Sequence, residues 1–198
     1  MKTVFLTLLL FLIDQFSKLL VRGFSLPWIN LKHSGFYLGE SKPLINNFLH
    51  ITLVENPGIA FGIIPGAFLK DLILVITILL CAGFLSFLLF SKDADSRVRI
   101  SVALILAGAA GNLFDRIFYG YFYNYAPLFQ GNVVDFLDVK FLKFFMFGNI
   151  PGNFVFNFAD LSITAGIFTL TYLIMKFKKQ REETDMVQKL VEERQDPS

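Results

Sequence analysis

The sequence predicts an all-α membrane protein. The expected form is a four-transmembrane-helix bundle with a small extracytoplasmic β-sheet and loop region between helices 1 and 2 and an aromatic interfacial loop between helices 3 and 4. Three observations predict it. The 198-residue chain is 55% hydrophobic, with 25 Phe and only 17% charged residues, which is more apolar than an ordinary soluble domain. Four runs approach the roughly 20 apolar residues that a helix needs to cross a bilayer. Much of the charge gathers after Lys176, in "KFKKQREETDMVQKLVEERQDPS".

The first run is about 3–21, "TVFLTLLLFLIDQFSKLLV". Lys2 ahead of an apolar core is reminiscent of a cleavable leader. No small-x-small cleavage site follows, and the apolar pattern continues past Asp14 and Lys18, so a retained helix is expected. The segment from about 22 to 67 is rich in Gly, Pro and Asn. Its fragments "FYLGE" and "FLHITLVEN" favour strands. The second run, about 68–90, and the third, about 98–119, are joined by "SKDADSRVR", which carries Lys92, Arg97 and Arg99. The segment from about 120 to 153 is dense in aromatics, as the outer headgroup region prefers. The fourth run is about 154–175, followed by Lys176, Lys178, Lys179 and Arg181. The positive-inside rule then places both termini in the cytoplasm and the 1–2 and 3–4 loops outside. One membrane domain over 1–176 and a charged cytoplasmic tail over 177–198, helical or disordered, follow from this pattern.

A net charge of +2 is too weak to imply a nucleic-acid partner. Cys81 is the single cysteine, so an intrachain disulfide and a Cys-based zinc cluster are excluded. His33 and His50 lack ligand-spaced partners, and no metal or cofactor is expected.

Charges near the centre of a bilayer cost roughly 2.5–3.5 kcal/mol each on insertion scales, so the polar residues inside the runs carry information. Asp14 and Lys18 are spaced i, i+4 with the acid first, the favourable order for an ion pair that lets both enter the membrane. "ENPGIAFG" reads from its residues as a turn in a loop before the second run, with an Asn56 amide displayed at the bilayer surface as the alternative. In "GAAGNLFDR" the small residues allow close helix packing. Asn112, Asp115 and Arg116 share a face there. Asn157 and Asp160 open the fourth run at i, i+3. Asp135, in the loop that returns to this end, converges with them near the outer interface. Two carboxylates in a poorly solvated site cannot easily both ionise, and a pair sharing one proton is what aspartic proteolysis uses. Asp138 reads as an additional loop carboxylate.

"DQFSK", "NPGIAFG", "GNLFDR", "VVDF" and "FNFAD" occur in that order between about residues 11 and 165. Together they resemble lipoprotein signal peptidase, also called signal peptidase II. The resemblance implies a bacterial inner-membrane aspartic endopeptidase. Such an enzyme removes signal peptides from diacylglyceryl-modified prolipoproteins, cutting before the lipidated lipobox cysteine. It implies Asp135 and Asp160 as the catalytic pair. It implies Asn56, Asn112, Arg116 and Asn157 as contacts to substrate or to globomycin, and Asp14, Lys18 and Asp115 as structural support. The bilayer and the lipid-modified prolipoprotein are the implied partners. The stretch from "GNLFDR" to "FNFAD" is longer than usual for the family. A transporter or channel subunit using Asp, Arg and Asn as an ion path is the rival reading, and a scaffold without chemistry a second. An ion path needs polar groups at the midplane of several helices; here they gather toward one end.

Overall fold

The first helix, α1 (Lys2–Arg22), buries Asp14, Gln15, Lys18 and Val21 and exposes Phe5, Leu8, Leu12, Phe16 and Leu20. This is the inverse of a water-soluble helix, and it fits an apolar solvent outside and a polar site within. In a computed structural model the protein is described over residues 2–46, 48–58, 66–140 and 154–195. Three more helices follow: α2 (Ala67–Phe90), α3 (Ser96–Phe114) and α4 (Phe158–Gln195). Among the described residues four helices, counting α1, are long and apolar enough to cross a membrane.

Local chemistry sets the ends. α1 stops at Gly23, whose φ of +85° closes the last turn while its N–H donates to Leu19 O at 2.9 Å; a side chain there would meet the backbone of His33 and Ser34. Asp95 caps α3 by accepting the Arg97 N–H at 2.7 Å. Arg99 donates to Leu88 O at 2.8 Å and to Thr3 Oγ1 at 3.2 Å, tying the end of α2 to the start of α1. Past Phe114 the chain widens into a π-helical turn, Asp115–Tyr119, then makes one last helical turn, Gly120–Phe122.

α3 is the most buried helix, and α4 lies closest against it. A Cβ on Gly108 would sit 2.1 Å from Ala159 O, and one on Gly166 would sit 2.7 Å from Ser101 O. Only glycine permits this approach, which brings the polar end of α3 against the first turn of α4.

Among the described residues, two sheets lie at the end where α1 and α3 finish and α4 begins. β1 (Phe24–Leu26) pairs antiparallel with β2 (Leu31–His33). β3 (Ser41–Ile45), β4 (Leu49–Asn56), β5 (Val133–Val139) and β6 (Val155–Phe156) form one antiparallel sheet in that order. Leu53, Val134, Phe136 and Leu137 pack with Val21 and Tyr119 into the core beneath it.

Several sequence expectations need correction. The sheet is not confined to the 1–2 segment: β5 and β6 come from the 3–4 segment, and β5 is almost wholly buried. Asp138 is therefore not a loop carboxylate but a fully buried strand residue. The fourth helix begins at Phe158, because 155–156 are strand, and it continues unbroken through the charged tail to Gln195. The expected aromatic matter over 141–153 and the second half of "NPGIAFG" lie outside the described residues.

Candidate active site

Asp135 on β5 and Asp160 on α4 lie on two elements that meet at α4's first turn. Asn157 is the residue before α4, and its Oδ1 accepts the Asp160 N–H at 2.9 Å. Asp160 answers by accepting the Asn157 N–H on Oδ2 at 3.1 Å. This reciprocal pair is a capping box, and it fixes both side chains. A third helix-end donor, the Ala159 N–H, goes to Asp14 Oδ1 on α1 at 2.8 Å.

With its oxygen committed to the cap, Asn157 turns Nδ2 inward. That nitrogen donates to Asp135 Oδ1 at 2.7 Å, and it also lies 3.1 Å from Asn112 Oδ1 and 3.2 Å from Val134 O. Asn56 is oriented by the same logic. Its Oδ1 accepts the Gly58 N–H at 3.0 Å, so Nδ2 donates to Asp135 Oδ2 at 3.0 Å. Asn112 accepts from Lys18 Nζ at 3.0 Å and donates through Nδ2 to Asp160 Oδ1 at 2.9 Å. Every oxygen of Asp135 and Asp160 thus receives an N–H, and each amide is locked by a second bond.

Lys18 is fully buried between Asp14 and Asp115, with Nζ 2.8 Å from an oxygen of each. A buried lysine is tolerated only with such partners. Asp115 also accepts the Val134 N–H at 3.2 Å, next to Asp135 on β5. Arg116 is held more loosely, by one bond from Nη1 to Asn112 O at 3.3 Å. It lines a cleft with Pro57, Gly58, Lys70 and Gln130.

Asp135 is 3% exposed. Burial, and then the neighbouring Asp160 charge, push its carboxyl up to about 7, although the Asn56 hydrogen bond opposes the rise. Asp138 stands apart, bonded to Thr52 Oγ1 at 2.9 Å and to Lys140.

All nine residues singled out in the sequence fall in or beside this assembly. Gln15 and Tyr119 were missed. Gln15 Nε2 donates to Asp115 Oδ1 at 3.0 Å, and Tyr119 Oη donates to Gln15 Oε1 at 3.2 Å. The signal for Gln15 is an amide beside Asp14 inside an apolar run; for Tyr119 it is the i+4 spacing from Asp115.

The sequence pattern described as Signal peptidase (SPase) II matches residues 6–176. A lipoprotein signal peptidase of Syntrophus aciditrophicus (strain SB) is 36% identical over 179 residues, covering 89% of this chain and 92% of its own. One from Desulfitobacterium hafniense (strain Y51) is 33% identical over 173 residues, covering 87% and 92%. Among solved structures, a bacterial membrane enzyme determined by the in meso method at 2.3 Å resolution is 27% identical. It has a TM-score of 0.66 and covers 90% of each chain. With a family match over most of the chain, and relatives above 30% identity spanning nearly their full length, this multi-pass membrane protein belongs to the signal peptidase II family of lipoprotein signal peptidases.

Proposed function

We propose that the protein is an aspartic endopeptidase that removes signal peptides from diacylglyceryl-modified prolipoproteins, cutting before the lipidated cysteine, with Asp135 and Asp160 as its catalytic pair. The observation that carries this reading is Asn157. It bonds Asp135 through its side chain and Asp160 through its main chain, so one residue fixes the two carboxylates relative to each other.

In this reading the buried Asp135 holds a proton and the less buried Asp160 takes one from water. The water oxygen adds to the scissile carbonyl carbon while Asp135 protonates the carbonyl oxygen. The resulting gem-diol collapses as Asp160 returns its proton to the cysteine nitrogen. The carbon–nitrogen bond breaks, and Asp135 recovers a proton from a diol hydroxyl. Proton transfer of this kind is efficient when the acid's pKa lies near the working pH, and Asp135 at about 7 meets that condition.

The lipid anchor keeps the substrate in the bilayer, so the bond is cut at the outer headgroups of the cell membrane, with both termini cytoplasmic. Asn56, Asn112, Arg116 and Asn157 hold the substrate or a globomycin-type inhibitor. Asp14, Lys18 and Asp115 brace them from within. The clustering of these groups at one end of the helices favours an interfacial enzyme over an ion path. Cleavage of a diacylglyceryl-modified prolipoprotein by the purified protein, followed as a gel shift, is the test. Wild type is expected to cleave, and Asp135→Asn and Asp160→Asn are expected to be silent. No cleavage by folded wild type would overturn the proposal.

A further inference from the structure

We infer that Thr52 and Asp138 are positioning residues: they pin a β-bulge in β4 that turns Asn56 onto the Asp135 face of the sheet. The inference rests on the proposed roles of Asp135 and Asn56. On β4, Ile51 lies opposite Leu137 of β5, and Val54 lies opposite Asp135. The chain therefore takes three steps on β4 against two on β5, so Thr52 and Leu53 together oppose Phe136. This two-against-one count is a bulge.

The bulge decides which way Asn56 points. Side chains alternate between faces along a strand, and directly opposed residues share a face. Asp135 and Asp138 are three apart on β5 and so lie on opposite faces. Below the bulge, His50 pairs with Asp138. Without the extra residue that register would carry Asn56 opposite Asn132, on the Asp138 face and away from the site. With it, Asn56 lies opposite Val133, and its Nδ2 reaches Asp135 Oδ2 at 3.0 Å.

The contacts that hold the bulge are buried. Thr52 is 1% exposed and Asp138 is fully buried. Thr52 Oγ1 donates to Asp138 Oδ2 at 2.9 Å, and Lys140 Nζ bonds the same oxygen. Ser41 Oγ lies 2.8 Å from Thr52 Oγ1 and donates to it, because the threonine proton is already committed. Leu53 is fastened on its other side, giving its N–H to Glu40 O at 3.1 Å and accepting from Gly39 N at 2.8 Å. Among the described residues Asp138 Oδ1 is the one buried side-chain polar atom with no hydrogen-bond partner. An idle buried acceptor is destabilising, so Asp138 is a poor choice for stability alone. Its other oxygen sits where the bulge needs an acceptor.

The test uses the full-length protein in detergent with the diacylglyceryl-modified prolipoprotein. Wild type and Asp135→Asn come first, since a silent wild type or an active Asp135→Asn defeats the functional reading itself. Given a working wild type, Thr52→Val is expected to lower kcat about tenfold or more, as misplacement of a catalytic neighbour does. Thr52→Ser, which restores the hydroxyl, is expected to recover the rate. Adding Asn56→Ala to Thr52→Val is expected to cost no more than Asn56→Ala alone, because both act through the same amide. Wild-type kcat in Thr52→Val, no rescue by Thr52→Ser, or losses that multiply in the double variant would each overturn the inference. If Thr52→Val does not fold, Asp138→Leu takes its place. Its apolar side chain offers no acceptor to either of the two donors now on Oδ2. The same non-additive loss of kcat supports the inference, and no loss or a multiplying loss overturns it.

Discussion

Asp135→Asn separates what the carboxylate does from what it costs the fold. Burial and the Asp160 charge raise Asp135 from its ordinary 3.8 to about 7. A carboxyl raised in the fold binds its proton more tightly there than in the unfolded chain. Its contribution to stability is therefore complete below about 4 and is lost as pH rises through about 7. A shift of about three units at 1.36 kcal/mol each is on the order of 4 kcal/mol. Asn has no charge to bury, but its amide presents N–H where Asn56 or Asn157 also donates. A protonated Asp keeps an acceptor lone pair at that place, so the mismatch costs the variant about 1–3 kcal/mol at every pH. Asp135→Asn is expected to melt below wild type at pH 4.5. Between pH 4.5 and 8 about 3 kcal/mol of this is lost, so the difference in Tm should move in the variant's favour by roughly 6 °C or more, at about 2–4 °C per kcal/mol for a chain of this size. Activity is expected to be absent throughout. Thermal melts of both proteins at pH 4.5, 6 and 8 measure this, and a Tm difference that stays constant with pH would refute the reasoning.

Other outcomes follow from the same contacts. Lys18→Met leaves Asp14 and Asp115 buried without their cation. A loss of about 3–5 kcal/mol is expected, read as a fall in Tm; a melt near wild type would contradict it. Asn157→Ala removes the α4 cap, worth about 1 kcal/mol, and frees Asp135 from its shortest bond. Cleavage should fall about a hundredfold while Tm drops only a few degrees, and the reverse ranking would count against it. Gly108→Val sets a side chain against Ala159 O and should separate α3 from α4, destabilising by about 1–3 kcal/mol or more with loss of cleavage in the same preparation.

The helices were legible because the bilayer penalises charge so heavily that apolar runs stand out without any knowledge of contacts. The residues of the candidate site stood out for the same reason. Asp14, Lys18, Asn112, Asp115 and Asp160 are conspicuous where they are expensive, and i, i+3 and i, i+4 spacings state which of them share a face. The sheet was not legible in this way. "VVDFLDV" is buried over almost its whole length and lacks the polar–apolar alternation of a half-exposed strand. Its neighbours are β4, far upstream, and β6, and no local pattern records such pairings. The bulge at Thr52–Leu53 depends on an acceptor more than eighty residues away, so the assignment of Asp138 as a spare loop acid was the natural misreading. The start of α4 was misplaced for a related reason: "FVFNF" is as apolar as the helix it precedes, and only the Asn157–Asp160 box tells them apart.

The bond from Asp14 to the Ala159 N–H has a consequence for the order in which the protein is made. It joins the first helix to the last across 145 residues. A ribosome that has released the chain only through β5 has delivered the buried cation and its two acids, together with Asp135. Asn157, Asp160 and the helix end that Asp14 steadies are still to come. The growing chain can gather its scaffold as it enters the membrane but still lacks the second carboxylate of the proposed pair. On the proposed aspartic mechanism, proteolytic competence arrives in one late event, when the final helix seats against Gly108 and Gly111, and a chain stalled before that point is expected to be inert.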